Sequence, residues 1–274
     1  MEHRPIAYQV YSARDDAQKD LGSVLKQLAA MGYDGVEFAG FYGYTAEEVS
    51  ALLKENGLTA ISSHVPFADI RKDPFGVIAY HQAIGARFIA VPYLGEEDRP
   101  GSAGFAAALR DIRRFGALCR EAGIQLLYHN HDFEFVTVSN EYGLDFLYEA
   151  IEPEFLKTEL DMCWVKYAGV NPAEYVRKYA GRCPVVHLKD YVGRKGEKSP
   201  YALIGDAKSE ENADTTAFEF RPVGYGCQNV AEIVEAGIES GAEWFVVEQD
   251  LSVGRTPLEA AQMSIDTLKK IGLK

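Results

Sequence analysis

The chain is poor in cysteine, and the little it has follows no pattern. Cys119, Cys163, Cys183 and Cys227 are the only four in 274 residues. None forms the CxxC spacing of a zinc knuckle or redox pair. A chain this long does not need disulfides for stability, so free thiols in a reducing compartment are expected. Long apolar runs are missing as well. No stretch approaches the roughly 20 residues of a membrane span, and the opening Met1-Glu2-His3-Arg4-Pro5 lacks the apolar core of a signal peptide. A cytoplasmic protein with no membrane partner is expected. Runs of basic residues are absent too, and the net charge is −13. That balance opposes general nucleic-acid binding, because phosphate attraction needs a basic face. No GxGxxG follows the first apolar run, which argues against a dinucleotide site there. No glycine-rich cradle marks a phosphate site, which favours a non-phosphorylated ligand.

What is present is a repeated phrase: an amphipathic helix, a glycine, then a β-rich run. Gly32 precedes Val36-Glu37-Phe38, Gly57 precedes Ala60-Ile61-Ser62-Ser63-His64, and Gly85 precedes Phe88-Ile89-Ala90-Val91. Gly123 precedes Ile124-Gln125-Leu126-Leu127-Tyr128, and Gly241 precedes Trp244-Phe245-Val246-Val247-Glu248. Glycine suits the position just past a helix, where φ is commonly positive. The runs are nearly continuous in apolar residues, as expected for strands buried on both faces of a parallel sheet. Between them Leu21, Val24, Leu25 and Leu28, and again Phe105, Leu109, Ile112 and Phe115, recur at helical spacing. Ile6–Val10, Phe155–Leu160 and Cys183–Leu188 bring the strands to eight. The pattern predicts a (β/α)8 TIM barrel, an eight-stranded closed parallel sheet in the α/β class. An open doubly wound sheet is the competing arrangement. A single domain over 1–274 is expected, with a long loop after the seventh strand at about 191–226. In a barrel that loop lies on the active face, as a lid or as a plain surface insertion.

Polar residues gather where the strands end. In order these are Gln9, Glu37, His64, His129 with His131, Asp161, His187 and Glu248, and four of the six histidines are among them. Barrel strands finish at one rim, where active sites form. Carboxylates and an imidazole brought together there suit one divalent ion, Mn, Mg, Co or Zn. Asp161, His187 and Glu248 are the expected ligands. The fourth lies among Glu134, His129 and His131, with Glu134 favoured. Each has a plainer reading: Asp161 as a helix cap, His187 as a packed core histidine, Glu248 as the partner of a lysine.

The motifs Gly32-Tyr33-Asp34-Gly35-Val36-Glu37, Tyr128-His129-Asn130-His131-Asp132-Phe133-Glu134-Phe135, Glu159-Leu160-Asp161, His187-Leu188-Lys189-Asp190 and Val247-Glu248-Gln249-Asp250 resemble those of the xylose isomerase-like TIM barrel superfamily. More narrowly they resemble its sugar phosphate isomerase/epimerase family, over essentially the whole chain. The resemblance implies one divalent metal held by a Glu/Asp/His/Glu set, and leaves a homo-oligomer open. The sequence departs from the ketose 3-epimerases of that superfamily at Tyr128, near the place of a metal glutamate, and at Trp164, where they usually carry a histidine.

The chemistry so implied is that of a sugar isomerase or epimerase, with proton transfer through an enediolate on a ketose or keto-sugar. Glu134, Glu248 and His131 are the candidate catalytic groups. Glu37, His64, His129, Trp164 and Lys189 are candidate substrate-binding residues, and Phe41, Tyr42 and Phe67 could join Trp164 in an apolar wall. Losing a β-hydroxyl instead would make the enzyme a dehydratase (a lyase) on an inosose or 3-keto-glycoside. Two further readings compete, a non-catalytic sugar-binding barrel and a nuclease of the endonuclease IV type. The acidic balance and Trp164 oppose the nuclease. The partner expected is a small-molecule carbohydrate.

Overall fold

In the computed structural model residues 3–194 and 218–274 are described. Eight strands form one parallel sheet: β1 (Ile6–Gln9), β2 (Gly35–Phe38), β3 (Thr59–Ser63), β4 (Phe88–Val91), β5 (Gln125–His129), β8 (Lys157–Asp161), β9 (Val185–Leu188) and β12 (Trp244–Val247). The order β3-β2-β1-β12-β9-β8-β5-β4 curls until its edges meet. There a parallel bridge joins His64 to Ala90, and the Val65 N–H donates to the Ala90 carbonyl at 2.9 Å. The fold is the TIM barrel that the repeats predicted.

The helices are α1 (Arg14–Met31), α2 (Ala46–Asn56), α3 (Phe67–Lys72), α4 (Pro74–Ala83), α5 (Phe105–Glu121), α6 (Gly143–Ala150), α7 (Met162–Tyr167), α8 (Pro172–Lys178), α9 (Val230–Glu239) and α10 (Pro257–Lys270). Local sequence sets several of their limits. Thr45 and Glu48 form a capping box on α2, and Thr256 and Glu259 form another on α10. All five glycines of the repeated phrase have positive φ, between 66° and 99°. Two small antiparallel hairpins decorate the rim: β6 (Thr137–Val138) with β7 (Glu141–Tyr142), and β10 (Asp190–Gly193) with β11 (Phe218–Arg221). The second belongs to the long loop expected at 191–226, of which 195–217 lies outside the described residues. Among the described residues no helix is long and apolar enough to cross a membrane. No cysteine is paired: Cys119, Cys163 and Cys183 are buried and Cys227 is exposed.

Strand alternation divides the apolar residues into two cores. Tyr8, Val36, Ile89, Leu126, Leu160, Val186 and Phe245 face the helices in the larger one. Ala7, Ile61, Phe88, Ala90, Leu127, Val185 and Val246 fill the lower lumen. Continuing upward at period two puts Gln9, Glu37, His129, Glu159 and then Asp161, His187 and Glu248 inside the lumen. On β3 the count slips by one. The pairing runs Val36 to Ala60 but Glu37 to Ser62, so β3 carries an extra residue. Ile61 points inward, Ser63 bonds outward to His81 of α4, and His64 returns to the lumen. Without that bulge His64 would face the helices.

Gly116 lets α5 lie against the backbone at Phe155, whose carbonyl oxygen occupies the space a Cβ would need. Helix propensity favours alanine there by about 1 kcal/mol, but overpacking a rigid contact costs about 1–3 kcal/mol. Gly116→Ala is therefore expected to lower the unfolding free energy in urea. A variant at least as stable as the parent would show that α5 can shift.

Candidate metal centre

At the upper lumen, His129, Asp161, His187 and Glu248 offer one ligand atom each within 4.8 Å of one another. Each is aimed by a neighbour. His129 Nδ1 lies 3.2 Å from the Pro92 carbonyl, which accepts a hydrogen bond from the Nδ1–H tautomer and leaves Nε2 with its lone pair. His129 Nε2 is 3.4 Å from Asp161 Oδ2 and 3.9 Å from Glu248 Oε2. Asp161 is split between two duties. Its Oδ1 accepts the N–H groups of Cys163 and Trp164 at 2.7 and 3.2 Å, capping α7, while Oδ2 makes no hydrogen bond. Its backbone is held from just beyond β5 as well, where the Asn130 side chain accepts the Asp161 N–H at 3.0 Å. His187 Nδ1 is 3.0 Å from Glu248 Oε2.

Electrostatics point to a cation. Five buried carboxylates, Glu37, Glu159, Asp161, Glu248 and Asp250, share the lumen with one ammonium, Lys189. Its Nζ stands 3.2 Å from Asp161, 3.0 Å from Glu248 and 3.0 Å from Asp250. Burial pushes Glu248 toward the neutral form, but Lys189, His187 and His129 outweigh it and hold this carboxyl well below the usual range. Burial is likewise outweighed at Asp161 by Lys189 and His129, and its pKa is lowered. Burial, then His129 and Lys189, keep His131 well below the ordinary imidazole value. Isolated buried charge is costly, and the pocket answers by gathering positive charge: Glu37 and Glu159, acting against burial, raise the pKa of both His64 and His187. Two imidazoles and two ionised carboxylates, with His129 Nε2 and Asp161 Oδ2 making no hydrogen bond, form a donor set that suits a divalent transition ion. Lys189 competes for the same oxygens, and Asp250 gives the ammonium a partner if Asp161 and Glu248 turn to an ion.

Above the cluster opens a cavity of about 600 Å³. His64, His129, His131, Lys189, Glu248 and Asp250 are among its lining residues, together with the rings of Tyr11, Tyr93 and Phe133. The Arg99 guanidinium lies at the rim, 3.7 Å over Phe133, and donates to the Leu94 carbonyl.

The structure brings together three of the four expected ligands, Asp161, His187 and Glu248, and places His129 beside them. Glu134, the favoured candidate for that place, lies elsewhere. It is fully buried, its Oε1 accepts the Tyr128 hydroxyl and its Oε2 the His131 N–H, both at 2.8 Å. Tyr128 faces the helices, so the carboxylate that answers to it stands outside the ligand group. Trp164, expected beside the substrate, is also enclosed. It sits with Cys163, Tyr167, Tyr191, Phe218 and Phe220 where the β10–β11 hairpin covers α7, and it stacks beneath His131. Phe41 stacks on Tyr80, and Phe67 lies under Arg71; neither they nor Tyr42 line the cavity. Glu37 lies below the cavity beside His187. Glu159 and Asp250 were not expected in the site. Glu159 stands two residues before Asp161, a period-two signal for one face, and Asp250 stands two after Glu248.

The family model of xylose isomerase-like TIM barrels matches residues 25–271. The chain belongs to that family. Among solved structures it is similar to a sugar phosphate isomerase/epimerase from Parabacteroides distasonis, with TM-score 0.79 and 20% identity over 100% of this chain and 96% of that one. It is also similar to an L-ribulose 3-epimerase, with TM-score 0.70 and 14% identity over 98% and 94%. The probable 3-DHS dehydratase AsbF from Bacillus anthracis gives 0.71 and 14% over 97% and 98%. Identities this low establish the shared fold. No curated protein matches the chain.

Glu134 offers a test of the site's boundary. Burial raises its pKa from 4.5 to about 7, against the lowering effect of the Tyr128 and His131 hydrogen bonds. A carboxyl raised on folding contributes most stability below pH 4.5, and this is lost as pH rises through 7. The shift is on the order of 3 kcal/mol. Between pH 5 and 8 the urea stability of Glu134→Gln should gain on the parent by that order. Parallel pH profiles would show that Glu134 is already ionised at pH 5.

Proposed function

We propose that this chain is a divalent-metal-dependent isomerase or epimerase that moves a proton between carbons of an unphosphorylated ketose or keto-sugar. The observation that carries the reading is the convergence of His129, Asp161, His187 and Glu248 within 4.8 Å at the floor of the cavity. A divalent ion bound there supplies Lewis acidity toward adjacent hydroxyl and carbonyl oxygens and favours the enediolate charge distribution. The protein's groups handle the proton. Glu248 reaches both the ligand cluster and the cavity, and its charged, hydrogen-bonded carboxylate is the best placed base. His131 lines the same cavity. Held neutral and stacked between Phe133 and Trp164 at 5.2 and 5.3 Å, it can exchange a proton on the other side of a sugar carbon. Lys189 and His64 offer donors to hydroxyl or carbonyl oxygens. Tyr11, Tyr93 and Phe133 give apolar faces for C–H surfaces of a ring.

Phosphate finds little support among the described residues. Four carboxylates, Asp69, Glu96, Glu248 and Asp250, line the cavity against the Arg99 and Lys189 cations, a balance that disfavours a phosphate. Elimination of a β-hydroxyl would use the same groups, so a lyase is the second reading. The fold shared with AsbF is compatible with it.

Elemental analysis of the purified chain should find about one divalent ion per chain under this mononuclear reading. Asp161→Ala and His187→Ala should lose it and Glu134→Gln should keep it. Full occupancy in the first two variants would remove the assignment. In D₂O, NMR of a panel of ketoses, inososes and 3-keto-glycosides should reveal one substrate that exchanges a carbon-bound proton, and Glu248→Gln should slow the exchange by about 10²-fold or more. No exchange and no turnover across the panel would leave a sugar-binding barrel as the better description.

A further inference from the structure

The cavity is larger than the chemistry at its floor requires. It holds about 600 Å³, room for roughly twenty waters at about 30 Å³ each, and a single sugar ring displaces well under half of them. Its lining also falls into two depths. His129, Lys189, Glu248 and Asp250 form a floor whose members are at most 5% exposed. Asp69, Tyr93, Glu96 and Arg99 form a rim that opens to solvent, where the Tyr93 ring is 48% exposed. One wall joins the two. The rings of Trp164, His131 and Phe133 stack in sequence at 5.3 and 5.2 Å, and the Arg99 guanidinium covers Phe133 at 3.7 Å. Tyr93 meets His131 edge-on at 5.8 Å.

We propose that the rim is a second sugar subsite, and that the substrate is a glycoside of disaccharide size. Its keto ring lies at the floor and its glycosyl group lies against Tyr93 and Arg99. The inference rests on the proton-transfer reading above and adds a size and a class to that substrate. A sugar ring presents C–H faces that pack on an aromatic ring and neighbouring hydroxyls that accept from a planar guanidinium. Arg99 is set for the second task. Its Nε donates to the Leu94 carbonyl at 3.0 Å, while among the described residues Nη1 and Nη2 have no hydrogen-bond partner. The Asp69 and Glu96 carboxylates offer acceptors to hydroxyls, and their charge disfavours an acidic group in the same place. The rim is also braced before any ligand arrives. Tyr93, Glu96 and Arg99 lie on the loop between β4 and α5, which begins with the Pro92 carbonyl beside His129. Asp98 of that loop pairs with Arg71 of α3, and the Ser102 hydroxyl donates to the Glu97 carbonyl at 2.7 Å. Gly104 packs so closely on the same carbonyl that a Cβ would clash with it. A surface held in place loses little entropy on taking up a ligand.

The test reads binding, so it does not depend on turnover. The full chain is titrated with maltose, cellobiose, lactose, sucrose and trehalose beside glucose, galactose and fructose, and saturation-transfer NMR maps the contacts. At least one disaccharide should bind about tenfold tighter than either of its component sugars, with saturation reaching both rings. Tyr93→Ala and Arg99→Met should each cut that advantage by about fivefold. Binding of every disaccharide no tighter than its component sugars would overturn the proposal, a result that needs no variant to fold. So would an advantage that survives both variants. Glucuronate bound more tightly than any disaccharide, and released by Arg99→Met, would replace the glycosyl subsite with an anion site. Proton exchange in D₂O separates the two readings. A disaccharide preference with no exchange in any keto-glycoside keeps the subsite and removes the enzyme; exchange in free keto-sugars with no disaccharide preference removes the subsite alone.

Discussion

Five carboxylates packed into one barrel lumen beside a single ammonium set the terms for everything above them. Charges withdrawn from water must find opposite charge or protons nearby. Here the chain supplies Lys189 between Asp161, Glu248 and Asp250, and imidazoles between the remaining acids. The arrangement is anionic unless those imidazoles are protonated or a cation is added. Two convergent groups, His129, Asp161, His187 and Glu248 above and His64, His129, Glu159 and His187 below, answer the same requirement, and His129 and His187 take part in both.

The barrel makes this concentration possible by separating its interior into levels. Ala7, Leu127, Val185 and Val246 close the bottom, so the polar residues two positions further along each strand meet one another with no bulk solvent below. The bulge on β3 is the one departure from regular alternation among these strands. It costs a regular pairing and returns His64 to the lumen, where it secures Glu159. The aromatic group around Trp164 is a second support. It braces His131 through ring stacking, not by contact with the cavity.

A plain role and a place in the cluster are compatible in the same side chain. Asp161 is a helix cap through Oδ1 while Oδ2 faces the cluster. Glu248 pairs with a lysine and also stands among the ligand atoms. A carboxylate has two oxygens and about four lone pairs, so one duty does not exhaust it. The same economy explains why a residue type at a strand end could be read in two ways from the sequence.

The eight strands, their glycine punctuation and the inward residues Asp161, His187 and Glu248 were legible because strand and helix periods are properties of the chain itself. Helical spacing, positive-φ glycines and period-two alternation act over a few residues, and so they survive in the order of letters. That His129 and not Glu134 would stand beside Asp161, His187 and Glu248 was not legible. It depends on the turn after β5, which carries Glu134 to the Tyr128 hydroxyl on the helix side while His129 stays inside. Nor could spacing reveal that the β10–β11 hairpin would enclose Trp164, or that one extra residue in β3 would turn His64 inward. Those outcomes are set by contacts between segments far apart in the chain, which local periodicity does not record.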